Sequence, residues 1–170
     1  MRFANLDGTS IDVYQQNTNV TDETTQAFGA TMDTLLDNAL GAQGYYGAFG
    51  TNIHTDNPAP LPGNEQIVAS AQAHGVPLIS YRQMLDWVDG RNGSTIRNLS
   101  WNAGTFSFAT TVAAGANGLR TILPTEGPTG TLSALTCAGA SQPYTLQTIK
   151  GIQYAMFETI TGTCQATYSP

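Results

Sequence analysis

The feature that most restricts the fold is a change of pattern near Asp89-Gly90-Arg91-Asn92-Gly93-Ser94. Before it, apolar residues recur at helical spacing between short extended runs. After it, only short alternating runs remain, cut by glycine turns. The runs at 99–101, 105–112, 118–123, 130–136, 144–149, 152–159 and 164–168 are seven candidate strands. Strands of that length and spacing read as a β-sandwich. Lys150-Gly151, between two alternating runs, has the chemistry of a tight hairpin turn. The expected organisation is an α/β lobe over residues 1–91 and an Ig-like β-sandwich over 92–170.

In the first lobe, extended runs at 3–6 and 11–14 flank Asp7-Gly8. Thr21-Asp22-Glu23 offers a helix cap with acids in the first turn, favourable against the helix dipole. Phe28, Met32, Leu35, Leu36 and Leu40 then mark one helical face, and Gly41 stops the helix. An apolar strand runs from Tyr45 to His54. Ile67, Val68 and Ala71 mark a second helix, and 76–79 reads as a short buried strand. Ser80 and Gln83 have capping-box spacing for a third helix, with Met84, Leu85 and Val88 inward. Three helices and three or four strands cannot close a barrel of about eight βα units. An open sheet edge is therefore expected, covered by the β module or by more sheet before residue 1, and otherwise a route to oligomers.

Polarity comes from Thr, Ser, Asn, Gln and Gly, because only 11% of residues are charged. Net charge is −6 with a single lysine, Lys150, so no basic stripe exists to displace counterions from nucleic acid. A nucleic-acid partner is excluded on that ground. No apolar run approaches 18 residues, which argues against a membrane span. The N-terminal residues lack the apolar core of a signal peptide, while the composition suits a secreted bacterial protein. The expectation is a mature or truncated piece of a longer extracellular protein. Cys137 and Cys164 have no CxxC partner and no neighbouring histidine, so a disulfide between two strands is preferred to two buried thiols, a nucleophile or a metal site.

Reactive groups are few. His54 ends an apolar strand and is followed by Asp56, and strand carboxyl ends are where α/β enzymes present chemistry. His54 can act as a general acid, with Asp56 or Asp7 tuning it, or can simply hydrogen-bond Asp56 in a loop. Tyr45, Tyr46, Tyr81 and Arg82 are candidates for substrate contact, with burial in the core the plainer reading of the tyrosines. Trp87 and Trp101 flank the junction and read as interdomain packing rather than a sugar platform. His74, at a helix C-terminus, is explained by the dipole, and Ser80 by its capping role.

The order of a strand closing on Thr51-Asn52-Ile53-His54, a helix, Gly75-Val76-Pro77-Leu78-Ile79-Ser80, a helix from Tyr81 to Asn92 and a small sandwich resembles the C-terminal part of secreted bacterial polysaccharide-deacetylase-like (NodB-type) proteins with an Ig-like tail. The resemblance implies a partial (β/α) barrel and a carbohydrate esterase or deacetylase activity on acetylated polysaccharide or a smaller ester or amide. It also implies a divalent metal whose bound water attacks the acetyl carbonyl while His54 protonates the leaving group. The family's Asp-Asp, His-x-x-x-His and Arg-x-Pro-Tyr motifs have no counterpart here, so no metal ligands are assigned. The alternatives are a non-catalytic polysaccharide-binding or structural module, and an esterase with an unrecognised nucleophile.

Overall fold

The computed structural model describes residues 2–15, 19–23, 26–42, 44, 47–54, 56 and 61–170. The protein is a mixed helix-and-sheet structure, mostly β, with three helices among the described residues. It divides into two compact units, Met1–Ile79 and Ser80–Pro170. The sequence pattern places the junction at 91/92. The structure instead groups the third helix with the strands that follow it.

In the first unit, β1 (Arg2–Ala4) and β2 (Ser10–Tyr14) form an antiparallel hairpin. β3 (Asn19–Thr21) and β4 (Gly50–Asn52) are parallel neighbours, connected through helix α1 (Phe28–Leu40). Helix α2 (Leu61–Ala73) follows. Parallel strands require such a crossover, and here it brings the helical stripe over the strand pair. Val20, Met32, Leu36 and Ile67 form the core, with Phe28, Leu35, Phe49, Ile53 and Val76 packed around it.

Two expectations for this unit are corrected. α1 begins after Ala27, with no side-chain cap, rather than at Thr21-Asp22-Glu23. Val20 is 1% exposed, and burying it in the parallel pair with β4 keeps 19–21 extended. The segment 76–79 is not a strand: Val76 packs against the core, but Leu78 and Ile79 are exposed.

In the second unit, α3 (Tyr81–Gly93) starts at the expected capping box between Ser80 and Gln83. Nine strands follow: β5 (Thr95–Asn102), β6 (Thr105–Thr111), β7 (Arg120–Pro124), β8 (Glu126–Gly127), β9 (Gly130–Cys137), β10 (Ala140–Ser141), β11 (Thr145–Ile149), β12 (Ile152–Glu158) and β13 (Gly162–Ser169). One sheet has the order β10-β9-β13-β6-β5, with β8 also on β9; the other is β11-β12-β7. Phe108 and Leu135 from the first sheet and Leu123 and Phe157 from the second belong to one core. Lys150-Gly151 makes the expected hairpin turn, both residues having positive φ and Ile149 facing Ile152.

Cys137 and Cys164 lie directly opposite each other on β9 and β13 and form a disulfide. α3 is fixed to the loop between β6 and β7 by very close backbone approach. A Cβ on Gly90 would fall 2.4 Å from the Ala116 nitrogen and 2.5 Å from the Ala114 oxygen. The Trp87 indole N–H donates to the Asn117 carbonyl at 3.0 Å. Trp87 thus packs within the second unit. Among the described residues no helix is long and apolar enough to cross a membrane.

Candidate functional site

The β3–β4 pair brings two polar residues together at its carboxyl end. Register matches Thr21 with Asn52, so Asp22 and His54 leave the pair one and two positions beyond it. One Asp22 oxygen accepts from the His54 backbone N–H at 3.1 Å, and the other meets Nδ1 at 2.9 Å. A carboxylate offers only acceptors, so Nδ1 carries a proton, and the ring's other nitrogen, Nε2, is the one available to a substrate. The Asp22 side chain is 6% exposed and that of His54 49%, an anchored base beneath an accessible ring.

The electrostatics follow from that geometry. The hydrogen bond to Asp22, then its charge, raise the His54 pKa above the ordinary 6.5, with desolvation opposing and Glu23 and Asp56 adding smaller contributions. Asp22 is held below the usual carboxylate value, chiefly by the same hydrogen bond. His54 is thus biased toward imidazolium and can deliver a proton through Nε2.

The other candidates fall in different places. Asp56 acts on His54 through its charge, and the hydrogen-bonding partner is Asp22 instead. Asp7 accepts from the Thr9 backbone N–H at 2.9 Å and the Thr9 hydroxyl at 2.6 Å, fixing the β1–β2 turn. It is not among the charges acting on His54. Tyr45 and Tyr46 lie outside the described residues. Tyr81 is exposed at the start of α3 in the second unit, where Arg82 pairs with Asp86 at 3.0 Å. His74 is bound by more than a dipole: its Nε2 meets Asp37 on α1 at 3.0 Å and its Nδ1 meets the Ser70 carbonyl at 2.7 Å.

Among the described residues no three His, Cys, Asp or Glu side chains converge to hold a metal ion. Asp22 and His54 are two donors already committed to each other, and two donors are too few for a protein-built site. The residues present therefore do not fit the divalent metal that the family resemblance implies.

Sequence reasoning missed Asp22, which it assigned to a helix cap. A signal was nonetheless present. Asn19-Val20-Thr21-Asp22 and Thr51-Asn52-Ile53-His54 are both short runs with β-branched residues closing on a polar group. Pairing two such runs in parallel puts their terminal side chains side by side. No protein-family model matches the chain, and no curated protein and no solved structure matches it.

Proposed function

We propose that the chain is the C-terminal part of a secreted deacetylase-like protein, a partial barrel lobe followed by a β-sandwich, and that His54 and Asp22 form its proton-donating dyad. The supporting observation is the Asp22 carboxylate on Nδ1, which leaves Nε2 to face a substrate. The reaction is hydrolysis of an acetyl ester or amide on a polysaccharide. Water adds to the carbonyl carbon, and the carbonyl oxygen takes up the negative charge. The bond to the sugar oxygen or nitrogen then breaks as Nε2–H protonates that atom. The attacking water gives up one of its protons to solvent, acetic acid leaves, and its ionisation returns a proton to the neutral imidazole, so atoms and charge balance. Asp22 fixes the tautomer and stabilises the imidazolium. The disulfide accords with an oxidising compartment.

The test is hydrolysis of p-nitrophenyl acetate and acetylated xylan by the full chain. His54→Ala is expected to lower kcat by about 10²-fold or more, the usual scale of general acid catalysis. Asp22→Asn is expected to move the alkaline limb of the pH–rate profile to lower pH, because the histidine loses the partner that holds its proton. Wild-type protein without activity, or activity indifferent to His54→Ala, would sink the proposal.

A further inference from the structure

The second unit contains a groove that no chemistry considered so far uses. β5 is the outer strand of one sheet and β7 the outer strand of the other. Beside both strands lies an open groove of about 460 Å³, lined by residues that include Arg91, Thr111, Ile96, Arg120 and Ile122. Ile96 and Ile122 are 53% and 43% exposed there.

Farther along the same strand stands Trp101. Directly opposed residues of an antiparallel pair share a face. Ile96 opposes Thr110 and Trp101 opposes Phe106, so both lie on the sheet face that carries the core residue Phe108. Five positions apart, they would alternate to opposite faces in a regular strand. The ladder shift between Arg97 and Ser100, with Asn98 at φ 55°, inserts the extra residue that restores a common face.

Leu99, between them, is 62% exposed, and Trp101 40%. The Trp101 ring is backed by Tyr168 at 5.2 Å and Phe106 at 6.2 Å. The Tyr168 hydroxyl, on β13, donates to the Pro124 carbonyl of β7, tying the two sheets together beneath that ring. Arg91, Arg120, Ile96 and Ile122 thus line the groove, and beyond it along β5 stand exposed Leu99 and a supported indole, roughly 16 Å from Ile96.

Charge selects the occupant. Residues 1–79 hold eight of the twelve acids and one of the six bases, and residues 80–170 hold four acids and five bases. The units therefore carry formal charges of −7 and +1. No acid lines the groove. Glu158 opposes Arg120 in the β12–β7 ladder, yet among the described residues Arg120 enters no ion pair. Guanidinium matches a carboxylate, an indole face matches the C–H face of a pyranose ring, and hydroxyl-rich walls match sugar hydroxyls.

We propose that the β5–β7 groove binds a linear uronate-containing polysaccharide, with Arg91 and Arg120 holding a carboxylate and Trp101 stacking on a sugar ring. The bulge at Asn98 disfavours the competing occupant, a peptide strand added to β5, because it interrupts the edge ladder such a strand would need. The site stands independently of the His54 chemistry.

The experiment is affinity gel electrophoresis of the full chain in sodium polygalacturonate, with dextran and poly-L-glutamate as neutral and anionic controls, and titration calorimetry for Kd. Retardation by polygalacturonate alone is expected. Arg91→Gln/Arg120→Gln should weaken Kd at least tenfold, Leu99→Asn and Trp101→Ala should also weaken it, and His54→Ala should leave it unchanged. The arginine and Leu99 changes are on the surface, so they report even if Trp101→Ala misfolds. Three results would overturn the proposal: no retardation, unaltered binding by the double arginine variant, or equal retardation by poly-L-glutamate. A concentration-dependent dimer broken by Leu99→Asn would assign the groove to a second copy of the chain and would overturn it too.

Discussion

The Asp22–His54 pair makes a titration claim with a definite sign. The folded pKa of His54 lies above 6.5 because a carboxylate accepts its Nδ1–H. The stability that this pair contributes is complete below 6.5 and fades as pH rises through the folded value. Imidazole ¹⁵N NMR should show both histidines titrating above the ordinary value, and Asp22→Asn should lower the midpoint of His54 and not that of His74. An unchanged midpoint would show that the carboxylate does not govern the ring. His54 was legible because it ends an apolar run. Its partner was not, because Thr21-Asp22-Glu23 satisfies the local rules of a helix cap equally well. Only the long-range pairing of Val20 with Thr51 decides between those readings.

His74 shows the same chemistry used to join elements. Both ring nitrogens face acceptors, Ser70 O on α2 and Asp37 on α1, and Asp33 lies 3.9 Å from Nδ1. Only the imidazolium has two N–H donors for them. The Ser70 bond first, then Asp37, raise its pKa above 6.5. The α1–α2 contact should therefore be firmest below 6.5 and loosen as pH rises through that higher value. Thermal melts between pH 5.5 and 8.5 should show the decline, and Asp37→Asn should flatten it. At α3, Gly90→Ala would gain about 1 kcal/mol of helix propensity. The clash with the Ala114–Ala116 backbone outweighs that gain, so we expect a net loss of about 2 kcal/mol in denaturant unfolding. Such elements were largely readable from sequence. The helical faces, the Ser80 box and the Lys150-Gly151 turn are local signals. β5 was read as 99–101 alone because the extra residue at Asn98 breaks its alternation, and 76–79 was misread because an apolar run does not reveal whether a neighbour strand exists.

Each unit has its own core, so their stabilities should separate in calorimetry. Reducing Cys137–Cys164, 27 residues apart, should lower the stability of the second unit alone. The chain-entropy cost of opening such a loop is roughly 3 to 4 kcal/mol. A matching fall in the first unit's transition would show that the two are coupled. The junction escaped sequence reading because α3 has ordinary helical patterning, whereas its allegiance rests on tight backbone fits at Gly90 and Gly115.

The place of β13 in its sheet has a consequence for biogenesis. Gly162–Ser169 is the last strand in sequence yet sits between β9 and β6, pairing with both. On the ribosome, β6 and β9 emerge well before the strand that joins them. The sheet cannot close until β13 has been made, and Cys137 has no disulfide partner before Cys164. The first unit can fold while the second is still being made, and the order of synthesis becomes the order of folding.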